Sequence, residues 1–301
     1  MATALLLLPD FLLIALGFVL CRYTPLDRSV WDGAERLVYY LLFPVLLFTS
    51  IVRSPLAIGA TLSLAACGVG VMLAGIVLAL SLRRLPGVDP ALHAAGAQVA
   101  FRFNSYVALA LSERLGGAQG VAWFALIVAL CVPLANVAAV WPLARHGGLS
   151  VGRELLRNPL IVSTLAGLVA NLAGLRFPDP LGITLQRIGG AALPLGLMAV
   201  GAGLRFGALR DGPQLAVALL AIRHFVLPLV ALLLVFLLAL PEAQRQLVVM
   251  FAAMPTASSA YVLAVRLGSH GSYVAGLVTV STLIAMAGIP LWLALAGWLA
   301  A

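Results

Sequence analysis

Phe101-Arg102-Phe103-Asn104-Ser105-Tyr106 interrupts an apolar run from Gly96 to Leu111, and Met254-Pro255-Thr256-Ala257-Ser258-Ser259 interrupts a second from Leu247 to Leu267. Ser105 and Pro255 lie 150 positions apart in a chain of 301 residues. Paired interruptions at matching places in two halves are the best sequence pointer to the binding site of an inverted-repeat secondary transporter. The two segments are therefore expected to meet and to carry the site.

Working outward, 63% of the residues are hydrophobic, 9% are charged, and the mean hydropathy is +1.12. A soluble domain carries about 25% charged residues. So apolar a chain must be solvated by lipid, where only helices or a closed barrel satisfy the backbone. Long, mainly apolar runs such as Ala216 to Leu240 exceed the ~20 residues of a spanning helix, and the alternating segments of a barrel are absent. The eighteen basic residues are all arginine. Placed in short loops, they mark topology rather than a nucleic-acid surface. Cys21, Cys67 and Cys131 fall in or beside apolar runs without metal-ligand spacing, so no metal or other cofactor is expected. Met1 to Leu8 lacks the basic residues of a signal peptide and reads as the start of the first membrane helix.

The hydropathy pattern predicts ten helices, at about 4–21, 35–52, 57–82, 91–112, 119–144, 158–175, 184–204, 214–240, 244–267 and 273–300. They form a single membrane domain, with repeat one at about 1–145 and repeat two at about 155–301. Five helices per repeat is an odd number, so two homologous halves must insert in opposite senses. Pro9 with Pro159, and Pro44 with Pro194, share the offset of 150. Loop arginines set the orientation. One side holds Arg22, Arg28, Arg36, Arg83, Arg84, Arg145, Arg153, Arg157, Arg205, Arg210 and Arg266; the other holds Arg53, Arg114, Arg176, Arg187 and Arg245. The richer side is expected to be cytoplasmic, which puts both termini on the non-cytoplasmic side of the cell (inner) membrane.

Helix 4 enters from one face near Ala91 and helix 9 from the other near Gln244. At 1.5 Å per residue, Arg102 to Ser105 and Pro255 all lie roughly 16–21 Å deep in a ~30 Å core. A broken helix offers N–H groups to an anion and carbonyls to a cation. Asn104 and Ser105 can cap the second half of helix 4, and Thr256, Ser258 and Ser259 that of helix 9, where Pro255 has no N–H to lose. The candidate substrate-binding residues are Arg102, Asn104, Ser105, Tyr106, Pro255, Thr256, Ser258 and Ser259. Simple alternatives stand beside them: Pro255 as a kink, the hydroxyl residues as interhelical packing, Pro44 and Pro194 as kinks. A charge at mid-bilayer costs at least ~2.5–3.5 kcal/mol on insertion scales and usually faces a cavity or a partner. Arg102 meets this condition, as do Arg223 and His224, about 14 Å into helix 8. Asp10 and Glu113 lie only near helix ends. An anionic substrate would balance this positive charge; alternatively, Arg102 or Arg223 binds freed backbone carbonyls. Arg223 and His224 form a possible second cation or proton site, His224 being able to titrate near neutral pH.

At these residues the chain resembles the auxin efflux carrier family. Arg102-Phe103-Asn104-Ser105-Tyr106, Arg157-Asn158-Pro159-Leu160-Ile161, Leu193-Pro194-Leu195 with Gly201-Ala202, and Ala253-Met254-Pro255 carry the resemblance across nearly the whole chain. It implies an all-α fold of ten transmembrane helices in two inverted five-helix repeats, with helices 4 and 9 broken and crossed. That fold is similar to the one of bile-acid sodium symporters. Helices 3–5 and 8–10 would move against helices 1, 2, 6 and 7. The family's crossover asparagine and proline correspond to Asn104 and Pro255. One departure stands out: no proline follows Asn104 through Ala110, which leaves the sharpness of the helix 4 break open. Relatives export auxin or bear the names of malonate and other carboxylate transporters, and a homodimer is implied.

The expected function is secondary transport of a small organic anion such as a mono- or dicarboxylate, coupled to H+ or Na+ or to neither. The alternative is a sodium-coupled symporter of a bulkier, sterol-like substrate. An enzyme is not expected, since no paired carboxylates, His/Cys cluster or Ser/His/Asp arrangement is placed to act together.

Overall fold

The computed structural model describes residues 2–53, 58–143, 159–204, 209, 211–257, 259–266 and 269–299. All regular structure among them is helical. Leu229, Leu233 and Leu237 repeat at helical spacing and are 54%, 66% and 72% exposed, an apolar stripe suited to lipid and not to water. Among the described residues six helical segments are long and apolar enough to cross a membrane.

The chain divides into two compact units. The first holds residues 1–61, 106–130 and 150–203. Its α1 (Ala2–Tyr23) is followed by α2 (Arg28–Leu37), a π turn (Val38–Leu42) and α3 (Phe43–Arg53). Hydropathy places the start of the second helix near residue 35, but the structure starts it at Arg28. Asp27 caps it by accepting the Ser29 and Val30 N–H groups. Arg28 then pairs with Asp32 (2.9 Å) and Glu35 (2.7 Å), while Trp31 is buried. These first turns are amphipathic, so a hydropathy window passes over them.

The expected long loop at 144–158 lies outside the described residues. After it come α8 (Pro159–Leu172), α9 (Asp179–Gly190) and α10 (Ala192–Ala202). Close backbone approach joins α1 to α10: a Cβ on Gly17 would overlap the Met198 carbonyl, and one on Gly201 the Ile14 carbonyl. Small residues let membrane helices pack this way, where no hydrophobic drive exists between them. Gly201→Val is therefore expected to destabilise the purified protein by about 2 kcal/mol or more, read as a lower melting temperature in detergent. An unchanged melting temperature would mean that α1 and α10 separate there without penalty.

The second unit holds residues 62–105, 131–149 and 204–301. It contains most of α4 (Ile58–Ser81), α5 (Pro90–Gly96), α6 (Gln98–Phe101) and the end of α7 (Ser105–Leu143). α7 is two helices joined at Gly117, whose φ of 54° and ψ of −145° turn the chain. Next come α11 (Pro213–Ala221), a π turn (Ile222–Val226) and α12 (Leu227–Leu237). Both π turns end two residues before a proline, Pro44 or Pro228. A proline cannot donate to the helical ladder and crowds the preceding turn, so the ladder widens just before it. α13 (Glu242–Ala253), α14 (Ser259–Arg266) and α15 (Gly271–Trp298) complete the unit.

Candidate functional site

The two interruptions of the sequence meet in the second unit. α6 stops at Phe101, and Arg102 turns extended (φ −68°, ψ 142°) before α7 begins at Ser105. α13 stops at Ala253, and Met254 is extended as well (φ −57°, ψ 147°). A backbone hydrogen bond joins the two open segments, from the Asn104 N–H to the Pro255 carbonyl at 2.8 Å. Helix 4 thus unwinds over Arg102, Phe103 and Asn104 without a proline of its own. The Pro255 carbonyl is available to Asn104 because residues 254–257 lie outside any helix. Beside this bond the Phe103 and Phe251 rings stack edge-to-face at 4.9 Å. Buried backbone groups need partners, and Thr256 finds one by donating its N–H to Ser281 Oγ at 2.9 Å.

Arg102 projects from the opened end of α6. Its guanidinium donates to Ser259 Oγ at 3.0 Å and to Asn136 Oδ1 at 2.9 Å. Both of these partners are neutral. Arg102 is half-buried and Ser259 is exposed, so this corner of the crossover is less enclosed than the break around Asn104 and Thr256. One helical turn earlier, Gln98 donates to the Ala95 and Ala260 carbonyls at 3.0 and 3.2 Å. Two buried side-chain oxygens near the breaks, Gln98 Oε1 and Thr256 Oγ1, have no hydrogen-bond partner among the described residues.

Arg223 is placed differently. It is 1% exposed and donates through Nε to the Met254 carbonyl (2.6 Å) and through Nη2 to the Phe251 carbonyl (3.2 Å). Of the two readings the sequence leaves for it, this geometry is the clamp on freed carbonyls. Its neighbour His224 contacts Ser281 Oγ through Nε2 at 2.8 Å, and its carbonyl accepts from Trp292 Nε1 at 2.9 Å. Ser281 therefore serves both the Thr256 N–H and the histidine. Ser281→Ala is expected to lower stability by about 1 kcal/mol or more, because two buried groups lose a partner at once; thermal unfolding checks this.

Arg102, Asn104, Pro255, Thr256 and Ser259 are thus drawn to one crossover, with Ser105 at the start of the helix that leaves it. Tyr106 is not drawn in. Its ring packs against Phe43 at 4.7 Å, within the first unit. Ser258 lies outside the described residues. An open hollow of about 450 Å3 in the first unit is lined by Leu13, Ala110, Glu113, Arg114, Gly190, Leu193, Pro194 and Leu197, and none of the candidate substrate-binding residues lines it.

Three partners were not singled out from the sequence: Gln98, Asn136 and Ser281. Two carried a signal. Gln98 sits four residues before Arg102, on the same helical face. Asn136 is the one strongly polar side chain between Val121 and Leu143, and polar residues within a membrane helix mark pathways. Ser281 had none, since small hydroxyl residues are ordinary in membrane helices.

A family model described as "Membrane transport protein" matches residues 143–293, half of the chain and inclusive of the second break. The chain is 27% identical over 293 residues to an "Uncharacterized transporter" of Methanothermobacter thermautotrophicus, covering 93% of this chain and 94% of the relative. It is also 27% identical over 307 residues to a "Putative malonate transporter" of Rhizobium meliloti, covering 94% of this chain and 92% of the relative.

Proposed function

Because the chain belongs to the membrane transport protein family, the auxin efflux carriers it resembles, we propose that it is a secondary carrier of a small organic anion. The observation that carries this reading is Arg102, a half-buried cation at the crossing of two opened helices, held by a hydroxyl and an amide oxygen. The start of α7 and the start of α14 add their positive half-dipoles at the same crossing, as suits an anionic group. The name of the malonate relative agrees with a carboxylate.

A ten-crossing inverted repeat is the architecture that best accommodates the elements. The crossings are α1, α2–α3, α4, α5–α6 with the first part of α7, the rest of α7, α8, α9–α10, α11–α12, α13–α14 and α15. The offset of 150 supports it beyond the two breaks. The π turn at 38–42 corresponds to the interruption of α9–α10 at Ala191. Gly17 lets α1 approach α10, and Gly167, 150 positions on, lets α8 approach α3 at Phe48. Alternating access by displacement of one compact unit, in the cell membrane and with both termini on the non-cytoplasmic side, completes the reading.

The test is uptake of malonate, malate, succinate and indole-3-acetate into proteoliposomes holding the purified chain. Saturable uptake of at least one acid is expected. Uptake of none, by protein that remains folded, would set the anion reading aside.

A further inference from the structure

Of the two carbonyls that Arg223 holds, that of Phe251 lacks its helical i+4 donor because of a proline and keeps a 3.3 Å backbone contact from the Met254 N–H. In an unbroken helix the Phe251 carbonyl would accept from the N–H of residue 255, which is Pro255 and has none. The Met254 carbonyl lies past the end of α13, where the ladder has stopped. These oxygens form the negative pole of a half-helix. In carriers with broken helices, such poles coordinate the coupling sodium. Here both oxygens already accept from a guanidinium, at 2.6 and 3.2 Å.

We propose that Arg223 is a resident cation at this break, holding the carbonyl pole that a sodium-coupled carrier leaves for its ion, so that transport needs no sodium. The inference rests on the carrier reading above and specifies its coupling. Three features support it. Guanidinium is a permanent cation with donors fixed in a fork, so it can meet two carbonyls at once. The side chain is buried to 1% exposure, so its head is shielded from bulk water. The π turn at 222–226, forced by Pro228, sets the backbone of Arg223 and His224 at this place. A sodium ion approaching these oxygens would meet acceptors already engaged and a like charge beside them. The arginine stays attached throughout the cycle, so the break is neutralised whether or not substrate is bound. The sodium-coupled alternative loses its natural ion site at the same stroke.

The first measurement is the thermal stability of the full purified chain in sodium chloride against choline chloride. Equal melting temperatures are expected; stabilisation by sodium would overturn the proposal. The second is Arg223→Ala. It should melt lower than the parent and regain stability in millimolar guanidinium, which refills the vacated place, while the parent chain does not respond. Malonate uptake by the variant should fall about tenfold and recover in part with guanidinium. A variant as stable as the parent and indifferent to guanidinium would overturn the idea. Should Arg223→Ala not fold, Arg223→Lys keeps the charge and is expected to remain folded and sodium-independent; sodium dependence there would count against the proposal. The stability arms need no substrate. If the parent chain moves no carboxylate, the carrier reading falls while the role of Arg223 is still decided.

Discussion

Arg102→Ala is expected to reduce carboxylate uptake about thirtyfold or more while the protein still folds. On the ten-crossing reading proposed above, the side chain carries a permanent charge near mid-bilayer, where a charge is most costly. Its partners Ser259 and Asn136 orient the guanidinium without cancelling that charge. A carboxylate arriving at Arg102 would complete a charge-assisted, two-pronged pair. Truncating one member of a desolvated charge pair typically costs 2–5 kcal/mol, about 30-fold at the least. Hydrogen bonds such as those to Ser259 and Asn136 are worth only about 1 kcal/mol each within a membrane protein. Uptake should therefore collapse well before stability does. Arg102→Lys keeps the charge but cannot span both oxygens, and should sit between, about tenfold down. The measurement is the initial rate at low substrate, normalised to folded protein in the liposomes. Uptake unchanged in Arg102→Ala would move the binding site elsewhere, with the hollow beside Glu113 and Arg114 next in line.

Much of this site can be read before any coordinates exist, and the reason is the solvent. In a lipid-solvated chain a polar residue inside an apolar run needs a purpose, so Arg102-Phe103-Asn104 and Pro255-Thr256 announce themselves. Their pairing could be inferred only from the matched offset and depth; the Asn104 to Pro255 hydrogen bond is its physical form. What sequence does not supply is lateral contact. Arg102 and Arg223 look alike as intramembrane arginines, yet one sits half-buried at a less enclosed corner and the other is sealed onto carbonyls. The difference comes from which helices neighbour them, and no local pattern encodes that. Tyr106 shows the limit of adjacency. It directly follows Ser105, but once a helix has started each residue turns about 100° from the last, and its ring goes to Phe43 instead. The early start of α2 shows the limit of hydropathy, since polar amphipathic turns carry little hydrophobic signal.

Asn136→Asp is the sharper companion to Arg102→Ala, because it changes charge with almost no change of shape. Asn136 Oδ1 lies 2.9 Å from the Arg102 guanidinium. A carboxylate in its place would attract the arginine by an amount on the order of 4 kcal/mol at an effective dielectric of about 20. That internal anion would compete for the same charge as the substrate, at a permanent effective concentration no free acid can match. Carboxylate uptake should fall about a hundredfold, and the melting temperature should hold or rise as an ion pair replaces a neutral hydrogen bond. Asn136→Ala, which removes the oxygen and leaves the charge, should weaken uptake only severalfold by loosening the guanidinium. The order of the two variants separates the competing roles of Arg102. If the arginine only fastens helices together, Asp should serve as well as Asn or better, and Ala should be the worse substitution. If it receives the substrate, Asp should be the worse one, and adding Arg102→Ala to it should cost little more, since both changes remove the same charge. Uptake by Asn136→Asp at the parent rate would show that the positive charge at the crossover is not what the substrate reads.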